Sequence, residues 1–401
     1  MNSHPSHERP GLFGRPVLTV AIVLAVLAAV GVGSVAYAKR DSADTAATWS
    51  EPVVTASSRG ASAPAAAEPA DATEESATTE GTVTLSATGD IMMSNAPSRM
   101  PPADGAGFFD SVKAGLAADL VMGNLEQPLT ADTGTSKCGA AATNCFAFRS
   151  PPSYAKHLKD GGFDLVNTAN NHSRDFGTQG ALNTREALDE AGVKATGNAD
   201  EITVAETKGV KVAVVGFSSY AGANSLLDLD QARSVIEKAE EQADLVVVQV
   251  HMGAEGADEQ HVKPGTETFF GENRGDPVRF SHAVIDAGAD LVVGHGPHVL
   301  RGMEFYNGKL IAYSLGNFAG GGRTLSRTGV LKYGGILRVT LGRDGSYAGG
   351  KLVSTYLNAN GLPTRDSSAD QGRKLVARLS EADFPDTGAT IGPDGSIKPS
   401  A

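Results

Sequence analysis

The chain has 401 residues, 41% of them hydrophobic, and a formal net charge of -12 at pH 7. This hydrophobic content suffices for a large core. The acidity excludes the basic surface that binding to a nucleic acid backbone requires, so no nucleic acid partner is expected.

Residues 17–38 form an uncharged apolar run that is long enough to cross a hydrocarbon core of about 30 Å as a helix. We predict a retained single-pass membrane anchor after a short cytoplasmic segment, residues 1–16, because the run exceeds the usual core of a signal peptide. The AYA sequence at 36–38 resembles a cleavage site, so secretion after cleavage is the alternative. Residues 39–80 are rich in Ala, Ser, Thr, Pro and acids, which predicts a disordered linker to an extracytoplasmic domain, residues 81–398.

From residue 81 onward, short apolar runs alternate with amphipathic segments, a pattern that predicts an α/β fold. The predicted strands are residues 83–87, 120–122, 165–168, 210–217, 245–250, 291–293 and 310–313. The predicted helices are residues 181–191, 229–242, 277–287 and 371–379. Two late apolar runs flank an Asp-Gly turn and predict a β-hairpin, and a Gly/Pro-rich tail follows the last helix. The residues by themselves indicate one helix-flanked, mostly parallel sheet.

Polar side chains follow five of the predicted strands at their carboxyl ends, where open α/β sheets bind ligands. Singly, an aspartate there more often caps a helix, and a buried histidine more often belongs to the core. Together, carboxylate, amide and imidazole groups predict a site for Zn²⁺, Mn²⁺ or Fe that holds one or two ions. A two-ion site would activate water and stabilise a phosphate-like transition state. The side chains are Asp90, Asn124, Glu126, Asn170, Asn171, His172, His251, Glu255, His295 and His298.

Cys138 and Cys145 are the two cysteines of the chain, and they lie seven positions apart among small residues. This spacing suits a small disulfide loop in an oxidising compartment, which we expect for a domain outside the cytoplasm. Two unpaired thiols in a loop are the alternative.

Six motifs in order along the chain resemble the capsule-synthesis CapA family: ATGDIMMS, GNLEQPL, NTANNH, HMGAE, GHGPHVLRGME and AYSLGNF. That family is associated with poly-γ-glutamate production and is related to calcineurin-like metallophosphoesterases. The resemblance covers residues 83–357 and implies a four-layer αββα sandwich, with two sheets packed between helices.

Together with the predicted anchor, the resemblance implies a function: a membrane-anchored protein of capsule, poly-γ-glutamate or related cell-surface polymer synthesis that is a metal-dependent hydrolase. Its expected substrate is a phosphoester or an anionic polymer, and its expected partners are polymer-synthase membrane proteins. The alternative is a non-catalytic, metal-binding accessory subunit of a polymer synthesis or export complex.

Carried over by motif, the resemblance implies five metal ligands. Asp90 and Glu126 would be carboxylate ligands, one of them bridging two ions, and Asn171, His251 and His298 would complete the set.

Two departures from the family pattern make the number of ions an open question. Met92 stands where metallophosphoesterases often carry a histidine, and Gly296 stands where many relatives have one. Either His295 takes over as a ligand, or a first-site ligand is lost and a site for one ion follows.

Three residues after the third strand are the candidate catalytic residues. The resemblance implies that His172 is a general acid or a donor to the transition state. Asp175 is placed to orient the His172 imidazole, an arrangement that fixes its tautomer. Arg174 is a candidate for binding a phosphate or carboxylate oxygen, and a solvated loop arginine is an equal alternative. The long segment 261–275 is expected to be a loop that covers the site.

Overall fold

The computed structural model describes residues 81–131, 134–139 and 145–400. The predicted membrane anchor, with the segment before it and the linker after it, lies outside the described residues. Within the described part of the chain, no helix combines the length and the apolar composition needed to cross a membrane.

Six α-helices and nineteen strands are present in the described residues. The helices are α1 (Lys113–Leu116), α2 (Ala155–Gly161), α3 (Gly177–Ala191), α4 (Leu229–Glu240), α5 (Pro277–Asp286) and α6 (Gln371–Asp383). The strands are β1 (Thr82–Met92), β2 (Leu120–Leu125), β3 (Leu165–Asn167), β4 (Lys194–Thr196), β5 (Thr203–Thr207), β6 (Val210–Ser218), β7 (Asn224–Ser225), β8 (Leu245–His251), β9 (Thr268–Phe269), β10 (Glu272–Asn273), β11 (Leu291–His295), β12 (Met303–Tyr306), β13 (Lys309–Ala312), β14 (Asn317–Gly320), β15 (Tyr333–Gly342), β16 (Tyr347–Leu357), β17 (Pro363–Arg365), β18 (Thr390–Ile391) and β19 (Ser396–Lys398).

Most of these strands belong to two mixed sheets. The first sheet has the order β18-β19-β16-β15-β1-β2-β3-β4, with β14 paired to β1 and β17 to β16. The second sheet has the order β12-β13-β11-β8-β6-β5, with β7 paired to β6. Each sheet has a core of parallel strands that is bordered by antiparallel strands. The parallel strands are β1 to β4 in the first sheet and β6, β8, β11 and β13 in the second.

The apolar side chains of strand β6 lie alternately on the two faces of the second sheet. Val212 and Val214 join an apolar cluster that also contains residues of the first sheet. Ala213 and Val215 join a different cluster together with residues of α4 and α5. Successive side chains of a strand point to opposite faces, so an uninterrupted apolar run is the expected composition for a strand covered on both sides.

Strand β2 repeats this pattern in the first sheet. Leu120 and Met122 belong to the cluster shared with the second sheet, whereas Val121 and Leu125 pack with residues of α1, α2 and α3. The layers therefore run in the order helices, first sheet, second sheet, helices. The single, mostly parallel sheet expected from the residues by themselves was wrong, because apolar runs do not indicate which strands pair with one another. The two-sheet arrangement implied by the family resemblance is present.

The predicted helices at 229–242 and 277–287 are confirmed with small shifts at their ends. Asp228 and Asp276 cap them, each accepting a hydrogen bond from the backbone N–H three residues later, at 3.0 Å. The predicted β-hairpin is confirmed as β15 and β16. The segment 261–275, predicted as a loop, contains the short β9–β10 hairpin, and the Gly/Pro-rich tail contributes β18 and β19 to the edge of the first sheet.

Candidate metal centre

The carboxyl ends of the parallel strands of both sheets meet at one place, and the backbone there is tightly packed. Asp90 lies near the end of β1, in register with Asn124 of β2 and Asn317 of β14. A Cβ atom at the preceding residue, Gly89, would lie 1.9 Å from the backbone oxygen of Gly316. Only glycine fits at this point, which explains the Gly-Asp sequence at the end of the first strand.

Asp90, Glu126 and His251 form the centre of the site. Each offers one ligand atom, and these atoms lie within 4.8 Å of one another. Both carboxylate oxygens of Glu126 and the Nε2 atom of His251 are buried and have no hydrogen-bond partner. A buried carboxylate without a partner is costly unless a cation offsets its charge. The donor set of two carboxylates and one imidazole fits a divalent transition metal.

His298 brings a second imidazole to the same group from the loop after β11. Its Nδ1 atom lies 3.2 Å from Oδ2 of Asp90, and its Nε2 atom lies 3.6 Å from Oε1 of Glu126 and 3.7 Å from Oε2 of Glu255. Asn317 Oδ1 also lies 2.9 Å from Nδ1. The backbone of His298 has a φ of +59°, an uncommon conformation for a residue other than glycine, and such conformations cluster at functional sites.

The charged side chains of this group shift one another's pKa values. Burial raises the pKa of Glu126 well above its ordinary value, even though the nearby His298 charge opposes this rise. Burial alone would also raise the pKa of Asp90, but its hydrogen bond with His298 and the charge of that residue hold this pKa below its usual range. Burial opposes a proton on His298, yet the charges of Glu126, Asp90 and Glu255 raise its pKa well above the ordinary value. The site therefore favours positive charge at its centre.

His251 differs from His298, because burial lowers its pKa well below the ordinary value. Its ring is therefore neutral near pH 7, the form in which imidazole binds metals. The Nε2 atom lies 3.7 Å from Oε1 of Glu126.

A buried network of asparagine side chains supports Asp90. Asn124 donates through Nδ2 to Oδ1 of Asp90 at 2.8 Å. Its own Oδ1 accepts hydrogen bonds from Asn167 at 3.0 Å and Asn170 at 3.1 Å. Asn124 and Asn170, two of the polar residues predicted at strand ends, thus orient a carboxylate.

Asn171 lies at the edge of the group. Its Nδ2 donates to Oε1 of Glu255 at 3.3 Å, and its Oδ1 atom is buried without a hydrogen-bond partner. An amide oxygen in this state is available as a ligand, which is the role predicted for Asn171. Glu255 is held in turn by Arg274, whose Nη1 lies 2.8 Å from Oε1.

His172 and Asp175 contact each other beside this group. The Nδ1 atom of His172 lies 2.8 Å from Oδ2 of Asp175, whose side chain is fully buried. Burial lowers the pKa of His172, and the hydrogen bond with Asp175 opposes that shift. Asp175 thus engages Nδ1 and not Nε2 of the ring.

Two other candidate residues do not contact the carboxylates of the group, although Arg174 lines the cleft beside His172. His295, the last residue of β11, has its Nε2 atom 3.2 Å from Oε1 of Gln249 rather than beside a carboxylate, and burial lowers its pKa to about 4. Arg174 is exposed and donates to Oγ1 of Thr178 at 3.3 Å. The roles predicted for His295 and Arg174 remain predictions.

The structure shows the surroundings of the two residues that depart from the family pattern. A Cβ atom at Gly296 would lie 3.1 Å from the His251 ring, and the backbone N–H of Gly296 points to Oδ2 of Asp90 at 3.4 Å. A side chain at this position would therefore crowd a candidate ligand. Met92 is buried in a small apolar cluster with Leu325 and Leu357.

An open cleft leads to the site past the side chains of Phe146 and Phe270, which are 58% and 72% exposed. His172 and Glu255 line this cleft together with Lys137. The sequence interpretation did not include Lys137, whose Nζ atom lies 2.7 Å from Oδ1 of Asp175. No motif singles out this lysine; its position directly before a cysteine was the available signal.

Cys138 and Cys145 form a disulfide, as the spacing predicted. The Cα atoms of the pair lie 5.5 Å apart.

Comparisons with known proteins place the chain in a family. The model of the family described as "Bacterial capsule synthesis protein PGA_cap" matches residues 84–321. Relatives include the PGA biosynthesis protein CapA of Bacillus subtilis, 32% identical over 259 residues, which are 60% of this chain and 63% of the relative. The capsule biosynthesis protein CapA of Bacillus anthracis is 31% identical over 260 residues, which are 59% of each protein. The matched region thus spans less than two thirds of both relatives.

A Mycobacterium tuberculosis protein named a probable polyglutamine synthesis accessory protein is 31% identical over 222 residues, which are 50% of this chain and 55% of that protein. Among solved structures, the NAD nucleotidase of Haemophilus influenzae aligns with a TM-score of 0.37 and 14% identity, over 75% of this chain and 56% of that one. The family model covers more than half of the chain, and the chain therefore belongs to the bacterial capsule synthesis protein PGA_cap family.

Proposed function

We propose that this protein is a metal-dependent hydrolase that acts on a phosphoester or on an anionic polymer linkage during the synthesis of a cell-surface polymer. The proposal rests on one observation: carboxylate and imidazole atoms that have no hydrogen-bond partner lie close together in one buried group. Glu126 presents two carboxylate oxygens without hydrogen bonds, and His251 presents an unpartnered Nε2 atom 3.7 Å away. The layered arrangement of helices and two sheets supports a metallophosphoesterase-like fold.

Asp90, Glu126, His251 and His298, with the amide oxygen of Asn171, would hold the metal. Mn, Zn or Fe suits this mixture of carboxylate, amide and imidazole ligands, as one ion or two. When bound, such an ion supplies Lewis acidity toward water and toward an anionic substrate oxygen.

His172 is the residue that would handle a proton. Asp175 holds Nδ1 at 2.8 Å and so fixes the ring orientation. Protonated Nε2 would donate its proton to the leaving oxygen, and the lowered pKa makes the protonated ring a stronger acid; water would then return a proton to the neutral ring. The phenyl ring of Phe148, whose centroid lies 4.9 Å from that of His172, shields one side of the imidazole from water.

The polymer is proposed from the names of the relatives, which refer to capsule and PGA biosynthesis. Poly-γ-glutamate or a related anionic polymer is therefore the first substrate to test. We further propose that residues 17–38 anchor the protein in the cell membrane beside polymer-synthase proteins, with the described domain outside the cytoplasm. The Cys138–Cys145 disulfide supports an oxidising compartment.

The second candidate function is a non-catalytic accessory role in polymer synthesis or export, in which the metal would hold an anionic chain. The name of the Mycobacterium tuberculosis relative, a probable polyglutamine synthesis accessory protein, favours it.

Elemental analysis of the full chain, followed by hydrolysis assays, separates these proposals. We expect bound Mn, Zn or Fe in the wild type and in Glu186→Gln, a control on the exposed face of α3, and loss of the metal in Glu126→Gln. Hydrolysis of bis(p-nitrophenyl) phosphate or of poly-γ-glutamate by the metal-loaded protein supports the enzyme. Metal without hydrolysis of either favours the accessory role, and the absence of any metal uptake refutes both.

A further inference from the structure

We propose that the disulfide joins two short segments into a clamp that positions His172 and Asn171 for the proposed hydrolysis. The disulfide clamp consists of residues 137–138 and 145–148, linked by Cys138 and Cys145. Each of its two arms bonds to the loop that carries the two candidate residues.

The first arm is Lys137, which contacts this loop at three points. Its backbone N–H donates to the carbonyl oxygen of Asp175 at 2.7 Å. Its Nζ atom lies 2.7 Å from Oδ1 of Asp175 and donates to the carbonyl oxygen of Asn171 at 2.9 Å. One side chain thus links the residue before His172 to the residue that orients its ring.

The second arm ends at Phe148. Its backbone N–H donates to Oδ2 of Asp175 at 2.7 Å, the same oxygen that faces His172 Nδ1 at 2.8 Å. Its ring packs edge-on against the imidazole, with the ring planes at 71°.

Asp175 is therefore the point where the clamp and the candidate catalytic residue meet. Its carboxylate is fully buried, and its charge is offset by Lys137 on one oxygen and by the Phe148 N–H on the other. Cys138 directly follows Lys137 and Cys145 lies three residues before Phe148, so the disulfide limits how far the arms can separate. Lys137 is accordingly a positioning residue that acts through Asp175.

The kinetic test compares Lys137→Met and Lys137→Arg with Lys156→Met. Lys156 is a matched control, because its partner Asp160 and the lysine itself are both exposed, at 57% and 74% of their side chains. We expect Lys137→Met to lower kcat about 10- to 100-fold, the usual effect of misplacing a reacting group, while KM and metal content change less than about twofold. Arginine should restore most of kcat, because it keeps the charge and reach of the first arm. Equal kcat in Lys137→Met and the wild type overturns the proposal.

A second measurement does not depend on catalysis. This inference rests on the proposed function, but hydrogen exchange of the amides at 172–175 reports the positioning directly. In the double variant Cys138→Ser and Cys145→Ser, we expect faster exchange there and unchanged exchange in β8, which shows that the fold persists. Unchanged exchange at 172–175 overturns the proposed clamp. Faster exchange in a protein that hydrolyses no substrate supports the clamp and counts against the proposed enzyme.

Discussion

Replacing Glu126 with glutamine should change stability in opposite directions with and without the metal. In the metal-free protein the Glu126 carboxylate is buried and accepts no hydrogen bond, and its nearest imidazole nitrogens lie at 3.6 and 3.7 Å. Glutamine keeps the shape of the side chain and removes the charge. We therefore expect Glu126→Gln to be more stable than the wild type under these conditions.

The size of this effect follows from the cost of an unsatisfied buried polar group. That cost is about 1–3 kcal/mol, and larger for a charged group. For a domain of a few hundred residues, each kcal/mol shifts Tm by about 2–4 °C. A metal that binds only the folded wild type adds about 4.1 kcal/mol at a concentration 1,000 times its Kd, which exceeds the cost of about 1–3 kcal/mol. Glu126→Gln should lose this gain, so the order of the two melting temperatures reverses when metal is added.

The difference in stability between Glu126→Gln and the wild type without metal should also depend on pH. The pKa of Glu126 is raised in the folded protein above its ordinary value of 4.5. An acid whose pKa is higher in the folded than in the unfolded protein does not reduce stability at a pH below its unfolded pKa. The protein loses stability as the pH rises from the unfolded pKa toward the folded pKa. The advantage of glutamine should therefore be small at pH 4 and grow as the pH rises above the ordinary value of 4.5.

Thermal unfolding with a chelator and with added Mn²⁺ or Zn²⁺ measures both effects. Glu186→Gln, which removes an exposed carboxylate from α3, should behave as the wild type does. If Glu126→Gln is less stable than the wild type with the chelator present, or if added metal raises Tm equally in both proteins, the assignment of Glu126 as a metal ligand is wrong.

Two further substitutions test the catalytic and the structural parts of the site. His172→Ala should lower turnover by a factor of about 10² to 10⁴ while metal content by elemental analysis stays at the wild-type level, since this side chain is proposed as a proton donor and not as a ligand. His157→Ala, a half-buried histidine of α2, is the control, and equal turnover in His172→Ala removes the residue from the mechanism. Gly89→Ala should destabilise the protein by about 1–3 kcal/mol in urea unfolding and reduce metal affinity, because its Cβ would lie 1.9 Å from the oxygen of Gly316. Gly139→Ala, where a Cβ meets nothing within 4 Å, should be neutral, and a neutral Gly89→Ala would show that the backbone there yields easily.

The strand ends could be predicted from the sequence because a buried strand is an apolar run that stops at a polar residue. In β8 every residue is buried, and His251 is the polar residue at which the apolar run ends. Parallel strands place such ends at the same edge of a sheet, so Asp90, His251 and His298 could be named without coordinates. The same pattern carries no information about pairing partners, so the residues by themselves do not distinguish two sheets from one.

Other parts of the site had no local signal. Lys137 reaches Asp175 across a long stretch of chain, and only the folded loop brings them together. His295 followed an apolar run as convincingly as His251 did, yet it contacts Gln249 in the structure. A side chain's direction within a sheet depends on register with its neighbours, and one sequence does not fix that register.

The candidate ligands are divided between the two sheets, so a bound metal would link the site to the packing of the whole fold. Asp90 and Glu126 come from the first sheet, whereas His251 and His298 follow strands of the second. Asn317 of β14 joins them, since it pairs with Asp90 along the backbone and contacts His298 through its side chain. The apolar cluster between the sheets brings the two carboxylates close enough to repel each other, and a cation there would turn that repulsion into a cross-link. A metal bound in this way would resist separation of the sheets, so its release should loosen the edge that carries the candidate catalytic residues before it affects the apolar centre.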